Sequence, residues 1–183
     1  MIVDVAHSIE LLLDDEAESR IRDLWSALEA LGLRTPGSGR AHATRPHCTL
    51  LAGSSIVGVD TGSPAPGMAA VAQRLPAPII LGAPIVFTSR STYTIAASVV
   101  PSAQLLSVHA TAYRLCGSAV SGLDAHCVPG AWTPHVTLAR RVPAESVTGA
   151  LALVAEPITA QATAVRRWNG DSKTETVVPG RAC

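Results

Sequence analysis

The chain has 183 residues, 48% of them hydrophobic, with 14 basic and 14 acidic side chains and a formal net charge of zero. That length suits one domain with a core of ordinary density, and the balanced charge excludes a basic field able to hold long nucleic acid by counterion release. One Phe, two Tyr and three Trp are too few for a platform that stacks several bases, so a small ligand or the end of a polynucleotide is the better fit.

Taken in chain order, residues Val3 to Leu13 read as a strand, with Ile9, Leu11 and Leu13 alternating. Asp14 to Leu31 reads as a helix with an acidic first turn suited to the dipole. Asp15 and Glu18 stand at capping-box spacing, Ile21, Leu24, Leu28 and Leu31 share a face, and Gly32 supplies a stop. After a Gly-rich loop, Pro46 to Ala52 is a strand. Met68, Val71, Ala72 and Leu75 suggest a second helix, and Pro78 to Thr88 one or two strands. Thr92 to Val100 is a strand by its β-branched content. Ser102 to Ala119 is helical, with Leu105, Val108, Ala112 and Leu115 on one side. A strand at His135 follows, then a helix over Pro143 to Val154 that opens on Pro. Strands at Ile158 to Arg167 and at TETVV flank an Asn169-Gly170 turn, the pattern of a hairpin.

None of Cys48, Cys116, Cys127 and Cys183 forms a CxxC, and none has zinc-ligand spacing with histidine. Reduced thiols in a cytoplasmic protein are expected. The opening segment MIVDVAHSIELLLDD carries Asp4, His7 and Glu10 and has no basic leader, so it does not read as a signal peptide. No run approaches eighteen apolar residues, so no membrane span is expected.

The sequence PHCTL at Pro46–Leu50 recurs as PHVTL at Pro134–Leu138, 88 residues later. Asp14, which opens the first helix, lies 33 residues before His47, and Ser102, which opens the third, lies 33 residues before His135. One strand–helix–loop–strand–helix–strand unit is therefore used twice. The expected product is one α+β domain over residues 1–183, bilobal, with pseudo-symmetric lobes near 1–90 and 91–183. Each lobe is a mostly antiparallel sheet backed by helices, with a groove between them.

Alternation along a strand puts His47 and Thr49 on one face, roughly 7 Å apart, with Cys48 and Leu50 turned inward. His135 and Thr137 repeat this, with Val136 and Leu138 behind. Converging across a groove, the pairs offer two imidazoles and two hydroxyls. A neutral imidazole can take a proton from water, and a protonated one can give a proton to a leaving oxygen. The hydroxyls can hold phosphate oxygens. That is the equipment for in-line displacement at phosphorus without a metal. A lone strand histidine is usually structural; two in matching places of a repeat point to catalysis. Metal binding at His47 and His135 would want a third ligand, usually a carboxylate, and neither motif carries one.

With these motifs the chain resembles the 2H phosphoesterase superfamily, and within it the bacterial 2′-5′ RNA ligase-like and RNA 2′,3′-cyclic phosphodiesterase branch. The resemblance implies a cytoplasmic hydrolase that opens a 2′,3′-cyclic phosphate on a small nucleotide or RNA end, with no cofactor and no DNA or membrane partner. A monomer is expected. By the family pattern, His47 is the proton donor, His135 the proton acceptor, and Thr49 and Thr137 hold the phosphate. The alternatives are 2′-5′ RNA ligation, cleavage of a 2′-5′ oligonucleotide, and a catalytically dormant RNA- or nucleotide-binding module.

Arg45 shares the face of His47 by parity. Arg140 falls on the opposite face from Thr137 unless the strand bulges, so Arg141 has the better parity; Arg45 and Arg141 are the candidate phosphate contacts. Arg166 and Arg167 are placed at the groove rim. Tyr93, Trp132 and Trp168 are candidates for stacking on a base, with core packing as the ordinary role. His109 belongs to a helix near its packed face, His42 to a loop, and His7 and His126 have no assigned partner.

Overall fold

The computed structural model describes residues 7–38, 44–58, 63–154 and 156–181. Asp4, His42 and Cys183 lie outside them. Strand β1 (His7–Leu13) is buried along its length. Helix α1 (Asp15–Ala30) follows directly, its N-cap being Asp14, whose carboxylate accepts from the Ala17 amide at 2.9 Å. The capping box expected of Asp15 and Glu18 does not form. The Glu18 carboxylate instead takes charge-assisted bonds from Arg22 and Arg45, stronger partners than a backbone amide. Ala17, Ile21, Trp25 and Leu28 make the buried stripe. Leu31 is 53% exposed because the helix has already ended, and Gly32 turns the chain with φ +77°.

Strands β2 (His47–Gly53) and β3 (Ser55–Ile56), helix α2 (Met68–Ala72), and strands β4 (Ala77–Ser89) and β5 (Thr92–Val99) complete the first part. Pro78 to Thr88 thus lies within a single strand. Helix α3 (Ala103–Cys116) is capped by Ser102, whose hydroxyl accepts from the Leu105 amide at 3.1 Å. The two residues placed 33 positions before the motif histidines are therefore both N-caps. Strand β6 (Val120–Ser121), strand β7 (His135–Val142), helix α4 (Val147–Ala152), and strands β8 (Ile158–Asn169) and β9 (Thr174–Pro179) follow. Pro143 leads into a short 3-10 turn before α4, which shortens the helix expected there.

All the main strands join one antiparallel sheet in the order β2-β1-β8-β4-β5-β7, with β9 added on β8. The long strand β8 changes partner midway. Residues 158–162 pair with β4 and residues 164–169 with β9 on the same edge, while β1 runs along the other edge. Residue 90 lies in the turn between β4 and β5, and each wing of the sheet draws strands from both halves of the sequence. The ends of the strand order, β2 and β7, come back into contact with one another. Helix α1 packs on β7 and β8, and α3 on β2 and β4, so each motif strand is backed by the long helix of the other half. Gly53 ends β2 where a Cβ would stand 2.5 Å from the Ser121 carbonyl; only glycine lets β6 approach so closely. Among the described residues no helix is long and apolar enough to cross a membrane.

Candidate active site

The two motif strands carry the expected alternation. His47 and Thr49 are partly exposed while Cys48 and Leu50 are fully buried; His135 and Thr137 are partly exposed while Val136 and Leu138 are buried. Cys48 lies on the inner side, fully buried. Burial drives its thiol up to about 12, so it is no nucleophile. Cys116 and Cys127 are likewise buried and free.

The imidazoles are held in the same way. Nδ1 of His47 stands 2.7 Å from the Arg45 carbonyl, and Nδ1 of His135 stands 2.7 Å from the Thr133 carbonyl. A carbonyl only accepts, so Nδ1 carries the proton in both rings and Nε2 is the working nitrogen. The charge of His47 opposes protonation of His135. Burial is the main cause that holds both below the ordinary imidazole value.

Their surroundings then differ. Nε2 of His47 lies 3.4 Å from Glu10 Oε1. Phe87 packs against the His135 ring at 4.8 Å between centroids, tilted by 52°. Glu10 and Arg166 are cross-strand partners of β1 and β8, and Glu10 also faces Thr49 of β2. Arg166 donates through Nε at 2.7 Å and through Nη2 to Glu10 Oε2, and through Nη1 to Glu175 at 2.9 Å. Ser8 donates to the other Glu10 oxygen. Burial raises Glu10, but His47 and Arg166, with the bonds from Ser8 and Arg166, outweigh it, and the carboxyl lies below its usual range. Glu10 is therefore a carboxylate, and its burial is tolerable because it is paired.

Two tryptophans lock the motif strands. Trp25 of α1 donates its indole N–H to the Thr137 carbonyl at 3.2 Å, and Trp132 donates to the Thr49 carbonyl at 2.9 Å. Edge-strand carbonyls that lack a neighbouring strand are thereby satisfied. Trp132 also stacks on His109, with centroids 3.9 Å apart and planes at 3°. His109 thus covers one face of the indole. His109 is core, its Nε2 2.9 Å from the Cys127 carbonyl. His7, also buried, places Nε2 3.2 Å from Asp171 in the β8–β9 turn.

The arginines have different surroundings. Arg45 is drawn to Glu18, with bonds of 3.0 and 2.9 Å. The strand does bulge: the β5 pairing steps from Ala139 to Val142 across Ile95 and Tyr93, and Arg141 takes φ +53°. Arg140 precedes the bulged Arg141 and is exposed. Its charge opposes protonation of both His47 and His135. Arg166 and Arg167 are 2% exposed and do not rim a groove. Trp168 lies beside Arg166, at 5.3 Å from guanidinium carbon to ring centroid, and Tyr93 packs against the core.

Glu10 and Phe87 were not legible as site residues from the motifs, and Arg166 was read at the groove rim and not as the buried partner of Glu10. A signal for the first two was present: an acid within the apolar strand HSIELLL and arginines within another buried strand. Charges are rarely buried unless paired.

Among the described residues no three His, Cys, Asp or Glu side chains cluster to hold a metal ion. No curated protein matches the chain by sequence. Solved structures do match. The Escherichia coli LigT complexed with 3′-AMP shares 12% identity at a TM-score of 0.51, with 97% of this chain and 95% of that one covered. The apo form of E. coli LigT shares 15% at 0.52 over the same coverage. Usb1 of Kluyveromyces marxianus shares 13% at 0.50, covering 94% of this chain and 97% of its own. Identities this low speak to the fold alone. The sequence model of the 2′-5′ RNA ligase superfamily matches residues 13–174, a span that includes both His-x-Thr motifs, and the chain belongs to that superfamily.

Proposed function

We propose that this protein is a metal-independent phosphodiesterase that opens a 2′,3′-cyclic phosphate on a nucleotide or RNA end to the 2′-phosphate. Water attacks phosphorus and gives its proton to Nε2 of His135. The P–O3′ bond breaks, and O3′ takes the proton of His47 Nε2. His47 then regains a proton from solvent and His135 releases one. Thr49, Thr137 and Arg140 surround the phosphate and offset its charge. The observation that carries this reading is the mirrored pair of imidazoles, each fixed through Nδ1 at 2.7 Å, with the charge of His47 felt at His135. Their unequal neighbours support unequal roles: a carboxylate favours a protonated His47, and an aromatic ring a neutral His135. The buried free thiols accord with a reducing, cytoplasmic setting, and the reading takes a monomer as the working unit.

The test is hydrolysis of 2′,3′-cyclic nucleotides and RNA ends in excess chelator, with the product's phosphate position determined. His47→Ala and His135→Ala should each lower kcat by about 10² to 10⁴ while remaining folded. Wild-type rates in either variant, or activity only with added divalent metal, would exclude the mechanism. The family description itself names ligation, so a 5′-hydroxyl end should be included; a longer product with a 2′-5′ bond would show the same site running in reverse.

A further inference from the structure

We propose that Glu10 is the positioning residue of the His47 ring, selecting the doubly protonated imidazole that the donor role requires. The inference rests on the function proposed above and assigns a part to a residue outside both motifs. Nδ1 of His47 faces a carbonyl at 2.7 Å and Nε2 faces a carboxylate at 3.4 Å. Both neighbours are acceptors. A ring with one proton would turn a lone pair toward one of them; only the imidazolium offers a donor to each. At 3.4 Å the Nε2 contact is an ion pair and not a committed hydrogen bond, so that proton is free to leave toward a substrate oxygen. Glu10 itself is kept ionised and immobile by Arg166 and Ser8.

The charges that face His47 from each neighbouring element are Glu10 of β1, Arg166 of β8, and Arg140 and His135 of β7. Glu175 of β9 acts at one remove, by holding Arg166. The Nη2 of Arg166 sits 3.2 Å from His47 Nδ1. Because Nδ1 donates to Arg45, this is a contact of two donors, and Arg166 opposes the charge that Glu10 favours. Glu10 is the one facing carboxylate among the described residues, and removing it leaves no anion facing the ring.

The experiment is Glu10→Gln, with Glu10→Asp as the milder variant that keeps the charge opposite Arg166 and retracts it by one methylene. Two readouts are taken: the pH profile of kcat on a 2′,3′-cyclic nucleotide, and the titration of the His47 and His135 side chains by ¹⁵N NMR without substrate. In Glu10→Gln the alkaline limb of the profile should move to lower pH. At pH 8 kcat should fall on the order of tenfold per pH unit of movement, with activity regained in acid and KM little changed. The His47 midpoint should fall more than that of His135, and Glu10→Asp should show a smaller change of the same sign. An unmoved His47 midpoint in a folded variant, or a kcat loss equal at every pH, would overturn the inference. The NMR arm needs no turnover, so it decides the Glu10–His47 link even if the wild-type protein hydrolyses none of the cyclic phosphates, an outcome that would count against the proposed function instead.

Discussion

Trp132, three residues ahead of His135, donates its indole N–H at 2.9 Å to the carbonyl of Thr49 in the other motif strand. Trp25 makes the reciprocal tie to the Thr137 carbonyl from α1. Each half of the repeat therefore fixes the backbone beneath the other half's His-Thr pair. Residues 44 and 113, the repeat counterparts of these tryptophans, are Thr and Tyr, so the ties are not copies of one ancestral contact.

Replacing either tryptophan by Phe removes the donor and keeps most of the ring. Each should cost about 1–3 kcal/mol of unfolding free energy, the range for a buried polar group left unpaired. Trp132→Phe should also lower kcat, because the stack on His109 and the Thr49 backbone move together. Denaturant unfolding and steady-state kinetics on the same samples would check both. Unchanged stability would show that water replaces the indole.

Arg45 and Arg140 should separate. Arg45 is committed to Glu18, so Arg45→Ala should change stability by about 0–1 kcal/mol, as for a part-exposed ion pair, and leave KM nearly unaltered. Arg140→Ala should raise KM for an anionic substrate about tenfold or more, and so should Thr49→Ala and Thr137→Ala, by loss of phosphate contacts. Equal kinetic loss in Arg45→Ala would place Arg45 on the phosphate after all.

The activity profile should be bell-shaped, with its optimum on the acid side of about 6.5, the ordinary imidazole value. His135 must be neutral, so activity rises as pH climbs through its pKa. His47 must be protonated, so activity falls as pH climbs through its own. Burial holds both below the ordinary value, and both limbs shift accordingly. Measurement of kcat/KM from pH 4 to 9 decides it; an optimum above pH 8 would contradict the assignment.

Stability should peak at neutral pH or above and fall in two stages on acidification. Near pH 6.5 the unfolded chain takes up protons that His47, His109 and His135 refuse, because burial lowers their folded values. Unfolding is favoured as pH drops. Below about 4.5 the same sign applies to Glu10, Glu18 and Glu29, whose folded values are depressed by partners that favour the carboxylate and lose it on protonation. Thermal melts across this range would show the two stages, and Glu10→Gln should weaken the second.

What the sequence determined by itself is local. The doubled Pro-His-x-Thr-Leu, the period-two burial around it and the caps at Asp14 and Ser102 depend on residues a few positions apart, and propensity and alternation are enough to read them. Only the tertiary structure decided which strands meet. The return of β2 onto β7, the crossing of β8 between the wings, the bulge at Arg141, and the Glu10–Arg166 pair behind His47 all depend on contacts between residues distant in the chain. Their registers follow from how buried faces and unpaired charges find partners across the whole sheet, and no local pattern encodes that choice.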